Sequence, residues 1–178
     1  MLAIRLAAGV AGLIALSLAA NPAAAQGAAK PSDPQIAHIA FTAGQIDIAA
    51  AQQAAKQSKN KEVRAFAADM VRDHKAVNAK ALALLKKLKV KPEDNDTSKS
   101  LVKQAADTKA KLAGLSGPAF DKAYADNEVA YHKTVNGALE TTLIPSAQNA
   151  ELKSLLQTGL KLFQGHQQHA EMVAAKLK

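Results

Sequence analysis

Between Val63 and Leu88 apolar residues return every three or four positions: Val63, Phe66 and Ala67, Met70, Val77, Ala81, Leu84 and Leu85, Leu88, with His74 in the same stripe. A stripe at that spacing runs along one side of an α-helix and has to be buried against other helices. Three further stretches carry the same signature. From Asp33, read as an N-cap with Pro34 in the first turn, Ile36, Ala40, Ala43, Asp47, Ala50 and Ala54 recur to about Gln57. From Pro118, the residues Phe120, Tyr124, Glu128, His132, Val135 and Leu139 face inward to about Leu143; after a tight turn at Ile144-Pro145-Ser146, Leu152, Leu156, Gly159, Phe163, His166, Ala170, Val173 and Leu177 mark the last helix. No alternating Val/Ile/Thr pattern competes, so the fold class is all-α.

The connections constrain topology. The first two helices are joined by a few residues, as are the last two, so each pair is predicted to be an antiparallel hairpin. Between the hairpins lies a long segment that includes "VKPEDNDTS", read as a loop, and a short, weakly amphipathic helix over Leu101, Ala105, Thr108, Leu112 and Leu115, ended by "GLSGP". A connection of that length can carry the chain from one end of a bundle to the other, giving a ferritin-like four-helix bundle with a long crossover that contains a short extra helix. With that crossover, a rise of ~1.5 Å per residue places Asp47, Glu128 and His166 at roughly 15 Å below the first hairpin turn, His74 and His132 at roughly 21 Å and His169 at roughly 10 Å. All four long helices then bring a polar group to about the same layer.

The first 25 residues have one basic residue, Arg5, an apolar run from Leu6 to Ala20 and the small-residue ending Ala23-Ala24-Ala25. This is the layout of a secretory signal peptide cleaved near Ala25, and the run is shorter than the ~20 residues a membrane span needs. The expected organisation is signal peptide 1–25, flexible lead-in 26–32 and a single domain over 33–178, with no transmembrane anchor in the mature form and a periplasmic or secreted location. Cysteine is absent from the sequence, which removes disulfides, thiolate metal sites, c-type haem attachment and cysteine nucleophiles. The formal charge of +8, +7 without Arg5, is spread as single lysines over helical faces. It keeps the surface solvated and fits contact with an anionic envelope surface or protein partner; with no recognition motif and an export signal, nucleic acid is not an expected partner.

His74, His132 and His166 stand on three different helices, with Asp47 and Glu128 at similar depth. Imidazole suits zinc, copper, iron and nickel, and carboxylate adds charge. Glu128 and His132 are i,i+4, while His166 and His169 are i,i+3, so either pair could chelate. Met70 and Met172, one turn from His74 and His169, offer thioether to copper or simply fill core. The alternative is a polar cluster that satisfies its own hydrogen bonds in a non-catalytic envelope or stress-related interaction protein. A di-iron oxidase demands Glu-x-x-His, yet three residues before each histidine stand Gln35, Val71, Val129, Phe163 and His166. Phosphate loops, Gly-x-Ser-x-Gly and His-Glu-x-x-His are also missing from the sequence, so an enzyme is the less favoured reading.

The segments "VRAFAADMVRDHKAVNAKALALL" (63–85), with Asp73-His74, "FDKAYADNEVAYHKTV" (120–135), the closing "ELKSLL…H" helix and "AGQIDIAAAQQAA" (43–55) together resemble the bacterial envelope proteins called domain of unknown function 4142. The resemblance implies a secreted, ferritin-like helical bundle without an assigned reaction. It points to His74, His132 and His166 as the family-pattern histidines, to His169 as an addition, and to Asp47 standing where Glu is more usual.

Overall fold

The computed structural model describes residues 30–177, and among them the chain is helix and turn without strand. The expected signal peptide, 1–25, lies outside the described residues. Four long helices, α1 (Asp33–Gln57), α2 (Lys61–Leu88), α4 (Gly117–Ala138) and α6 (Ala150–Lys176), are joined by α3 (Asp96–Ala113), a π-helical segment Leu139–Leu143 and the single turn α5 (Ile144–Ser146). No helix among the described residues is long and apolar enough to cross a membrane.

Local chemistry sets the helix ends. Ser32, one residue before the Asp33 read from sequence, caps α1 through a reciprocal box with Gln35, in which Gln35 N–H donates to Ser32 Oγ (3.4 Å) and Ser32 N–H to Gln35 Oε1 (3.1 Å). Asp33 is thereby free for a longer reach: its carboxylate accepts from Gln148 N–H (2.9 Å) and Asn149 N–H (2.8 Å), tying the start of α1 to the start of α6. Asn60 Oδ1 caps α2 and Asn149 Oδ1 caps α6. α3 is longer than its apolar pattern predicts, because Asn95 caps it six residues ahead of Leu101 and turns part of the expected loop into helix. The helix read as ending at Leu143 is α-helical only to Ala138; the π-segment widens one turn and keeps both Leu139 and Leu143 buried. Ile144-Pro145-Ser146 continues the helix, and the turn falls just after it.

α1 packs on α2, α2 on α6, α6 on α4 and α4 on α1, so the four long helices close a ring. At one end the core contains the end of α1, the starts of α2 and α4 and the end of α6, around Phe66, Phe120 and Tyr124. At the other it contains the start of α1, the ends of α2 and α4 and the start of α6, around Ile36, Leu85 and Leu152. α1 and α6 therefore run one way, α2 and α4 the other. α3 lies against α1 and returns the chain along its length: Asn95 Nδ2 reaches Gln35 O (3.4 Å) at one end, and Gln57 Nε2 reaches Leu112 O (3.1 Å) and Leu115 O (2.8 Å) at the other. Between α1, α3 and α4 lies a mostly apolar cleft of about 560 Å³.

Candidate metal centre

Between the two apolar ends the core turns polar. Asp47 (1 % exposed), His74 (3 %), Glu128 (1 %), His132 (1 %) and His166 (6 %) are buried together there. A buried ion-sized group is costly unless paired, so five of them in one layer require a reason.

The three imidazoles form a triangle with centroid separations of 5.8 Å (His74–His132), 5.3 Å (His74–His166) and 5.5 Å (His132–His166), and each contributes a ring nitrogen to a group lying within 4.8 Å. Asp47 Oδ2 stands 3.4 Å from His74 Nε2 and 3.5 Å from His132 Nε2. Glu128 Oε2 is 3.6 Å from His132 Nδ1, and Asp47, Glu128 and His132 make a second group within 4.8 Å. None of the Asp47 and Glu128 oxygens makes a hydrogen bond here, and the Asp47 separations from the two Nε2 atoms are short enough for shared ligation.

The rings are oriented from outside the layer. His132 Nδ1 lies 3.0 Å from the Glu128 carbonyl, one turn back on α4; donation there leaves Nε2 with its lone pair facing Asp47. His166 Nε2 lies 3.0 Å from Asp73 Oδ2 on α2. His74 makes no hydrogen bond and is held by the Phe163 ring, parallel to within 3° at a centroid distance of 4.6 Å. Tyr131 Oη donates to Ala43 O (2.8 Å), pinning α4 to α1 one turn from Asp47.

Burial sets the charge states. It pushes the Asp47 carboxyl up to about 7 and Glu128 well above the usual carboxylate range, with Asp47 beside it adding to the rise. The same burial, with the other imidazoles adding to it, lowers His74 to about 3 and His132 to about 4. His166 is lowered by burial and partly held up by Asp73. The layer thus presents neutral imidazoles with free lone pairs and carboxyls that would become anionic beside a cation.

Five of the six residues singled out in the sequence, Asp47, His74, Glu128, His132 and His166, meet in this layer. His169 does not: its ring is partly buried and packs edge-on against Phe66 at 5.1 Å, in the apolar end of the core. Met70 is buried in that apolar end and Met172 is 58 % exposed. Asp73 is the functional candidate that the stripe reading passed over. Its signal was the dyad Asp73-His74 itself, preceded by Asp69 and Arg72 at i,i+3 spacing.

Comparison with curated proteins and with solved structures found no match. The family model described as domain of unknown function (DUF4142) matches residues 18–173. The match takes in all five residues of the polar layer, and the chain belongs to the DUF4142 family.

Proposed function

We propose that the protein is a metal-binding bundle that holds one divalent first-row ion, zinc, copper or iron, through His74, His132 and His166, with Asp47 and Glu128, which form a second group around the same His132, as the neighbouring carboxylates. The observation that carries the reading is the concentration in this layer of buried polar atoms without a hydrogen-bond partner, eight of the thirteen among the described residues: both nitrogens of His74, His132 Nε2, His166 Nδ1 and all four carboxyl oxygens of Asp47 and Glu128. A polar cluster built only to satisfy itself would pair these atoms; these are spaced for ligation instead. Two ligand atoms each ~2.0–2.1 Å from a tetrahedral zinc lie about 3.3–3.4 Å apart, close to the Asp47–His74 and Asp47–His132 separations. Two carboxylates also neutralise a divalent charge inside the core.

The ring of four helices, the two hairpins and the end-to-end α3 support a ferritin-like arrangement, with the ligands at the middle of the bundle where such folds build their centres. Lacking Glu-x-x-His on any helix, the site reads as a binding or buffering centre rather than a di-iron oxidase. The leader-like residues 1–25 support export, so that the ion is met in the periplasm or outside the cell.

Elemental analysis and calorimetric titration of the purified protein with zinc, cupric and ferrous ions test this. One ion per chain is expected. Stoichiometry and affinity unchanged in a His74→Ala, His166→Ala double variant would overturn the proposal.

A further inference from the structure

His166 is the ligand candidate with a hydrogen bond to a side chain outside the layer. Its Nε2 meets Asp73 Oδ2 at 3.0 Å, while its Nδ1 is buried and unpartnered. Asp73 is itself clamped: Arg72 Nε donates to Oδ1 (2.8 Å) and Arg72 Nη2 to Oδ2 (3.0 Å), while Arg72 Nη1 holds Asp69 Oδ1 (2.6 Å). A carboxylate that accepts from a guanidinium on both oxygens has no proton to give. The hydrogen between Asp73 and His166 therefore sits on Nε2, and the neutral ring has its lone pair on Nδ1.

His132 is fixed in the opposite sense. Its Nδ1–H goes to the Glu128 carbonyl and its lone pair is on Nε2. Two rings on neighbouring helices thus have opposite tautomers, one set by a backbone carbonyl and the other by the Asp73 carboxylate. His74 is fixed by stacking alone and supplies no comparable constraint.

We infer that Asp73 is a positioning residue of the metal centre, which selects the Nε2–H tautomer of His166 and so makes Nδ1 its donor atom, in contrast to Nε2 of His132. This inference rests on the metal-binding reading for its functional meaning, but its structural core, the His166 tautomer, does not. Outer acceptors of this kind are worth about 10–100-fold in metal affinity, because they fix the ring orientation and make the ligating nitrogen more basic. Arg72, the charge that loses a partner when Asp73 is replaced, is 66 % exposed, so no sealed charge is left behind.

Two measurements on the same proteins test the assignment: nitrogen-15 spectra of the histidine rings in the chelator-treated protein at neutral pH, and zinc affinity by competition with a chromophoric chelator. In the unaltered protein His166 is expected to be protonated at Nε2 and His132 at Nδ1. In Asp73→Ala the His166 ring is expected to become a mixture of tautomers and zinc to bind 10–100-fold more weakly, with His132 unchanged. Asp73→Glu should restore part of both. A His166 ring protonated at Nδ1 in the unaltered protein, or zinc affinity in Asp73→Ala within twofold of the original, would overturn the inference. Absence of zinc binding in the unaltered protein defeats the metal reading instead, and the ring spectra then still decide the role of Asp73 as the group that sets His166.

Discussion

The contact between α1 and α2 beside the polar layer can be tested with one methyl group. Gly44 lies one turn before Asp47, Asn78 one turn after His74, and the two residues face each other. A Cβ placed on Gly44 would come within 2.9 Å of Asn78 Cγ and Nδ2 and closer still to Asn78 Oδ1. Ordinary contact between carbons is about 3.5–4.0 Å. Asn78 is buried and its Nδ2 donates to Phe41 O at 3.4 Å, so it has little room to swing away. Forcing an extra methyl into such a contact costs about 1–3 kcal/mol. Alanine in place of glycine inside a helix gains about 1 kcal/mol. Gly44→Ala should therefore lower stability by roughly 0–2 kcal/mol. In an Asn78→Ala background, with the obstruction gone, the same change should raise it by about 1 kcal/mol. The coupling between the two sites is then about 1–3 kcal/mol, or some 2–12 °C in melting temperature for a domain of this size. Urea and thermal unfolding of the four proteins measure it. If Gly44→Ala has the same effect in both backgrounds to within about 0.5 kcal/mol, the two helices are not in the contact described.

Zinc at a hundredfold excess over its dissociation constant should stabilise the protein by about 2.7 kcal/mol and raise its melting temperature by roughly 5–10 °C, an effect absent in His74→Ala. Uptake should release protons in mildly acid solution. Asp47, raised to about 7, holds its proton below pH 7 and burial pushes Glu128 in the same direction, whereas His74 at about 3 and His132 at about 4 have already lost theirs. Affinity should thus go on rising as the pH passes 7, and calorimetry in buffers of different ionisation heat should detect the released protons at pH 6; none there would contradict the assigned charge states. His169→Ala should leave zinc affinity within about twofold while costing about 0.5–1.5 kcal/mol of stability through its lost contact with Phe66.

The parts of the centre that the sequence discloses are those governed by helical rise and period. Asp47, His74, Glu128, His132 and His166 lie on inward stripes, and two short turns and one long connection set their depths. The same geometry explains why His169 leaves the layer: three residues beyond His166, it is turned ~60° around the helix and raised ~4.5 Å, which takes it to the edge of Phe66. Asp73 follows His74 backward by one position and so points ~100° away, off the stripe, where only the placement of α6 beside α2 gives it a partner. Helix ends were less legible because they depend on side-chain caps. Asn95 looks like loop chemistry until its Oδ1 is seen accepting from Ser98 N–H at 3.0 Å. The π-turn at Leu139–Leu143 has no composition signal at all.

The way α3 is held has a consequence for the order in which this molecule comes apart. Along its length α3 fully buries Ser98 and Leu112, close to its two ends, while Leu101, Ala105 and Thr108 between them are only half-covered. Each of the other long helices buries seven or more residues. In hydrogen exchange the amides of α3 should open as a unit well before those of α1, α2, α4 and α6. The ring can stay closed while α3 detaches, so the earliest partly unfolded form keeps its imidazole layer and its two local hairpins, and has lost only the passage between them.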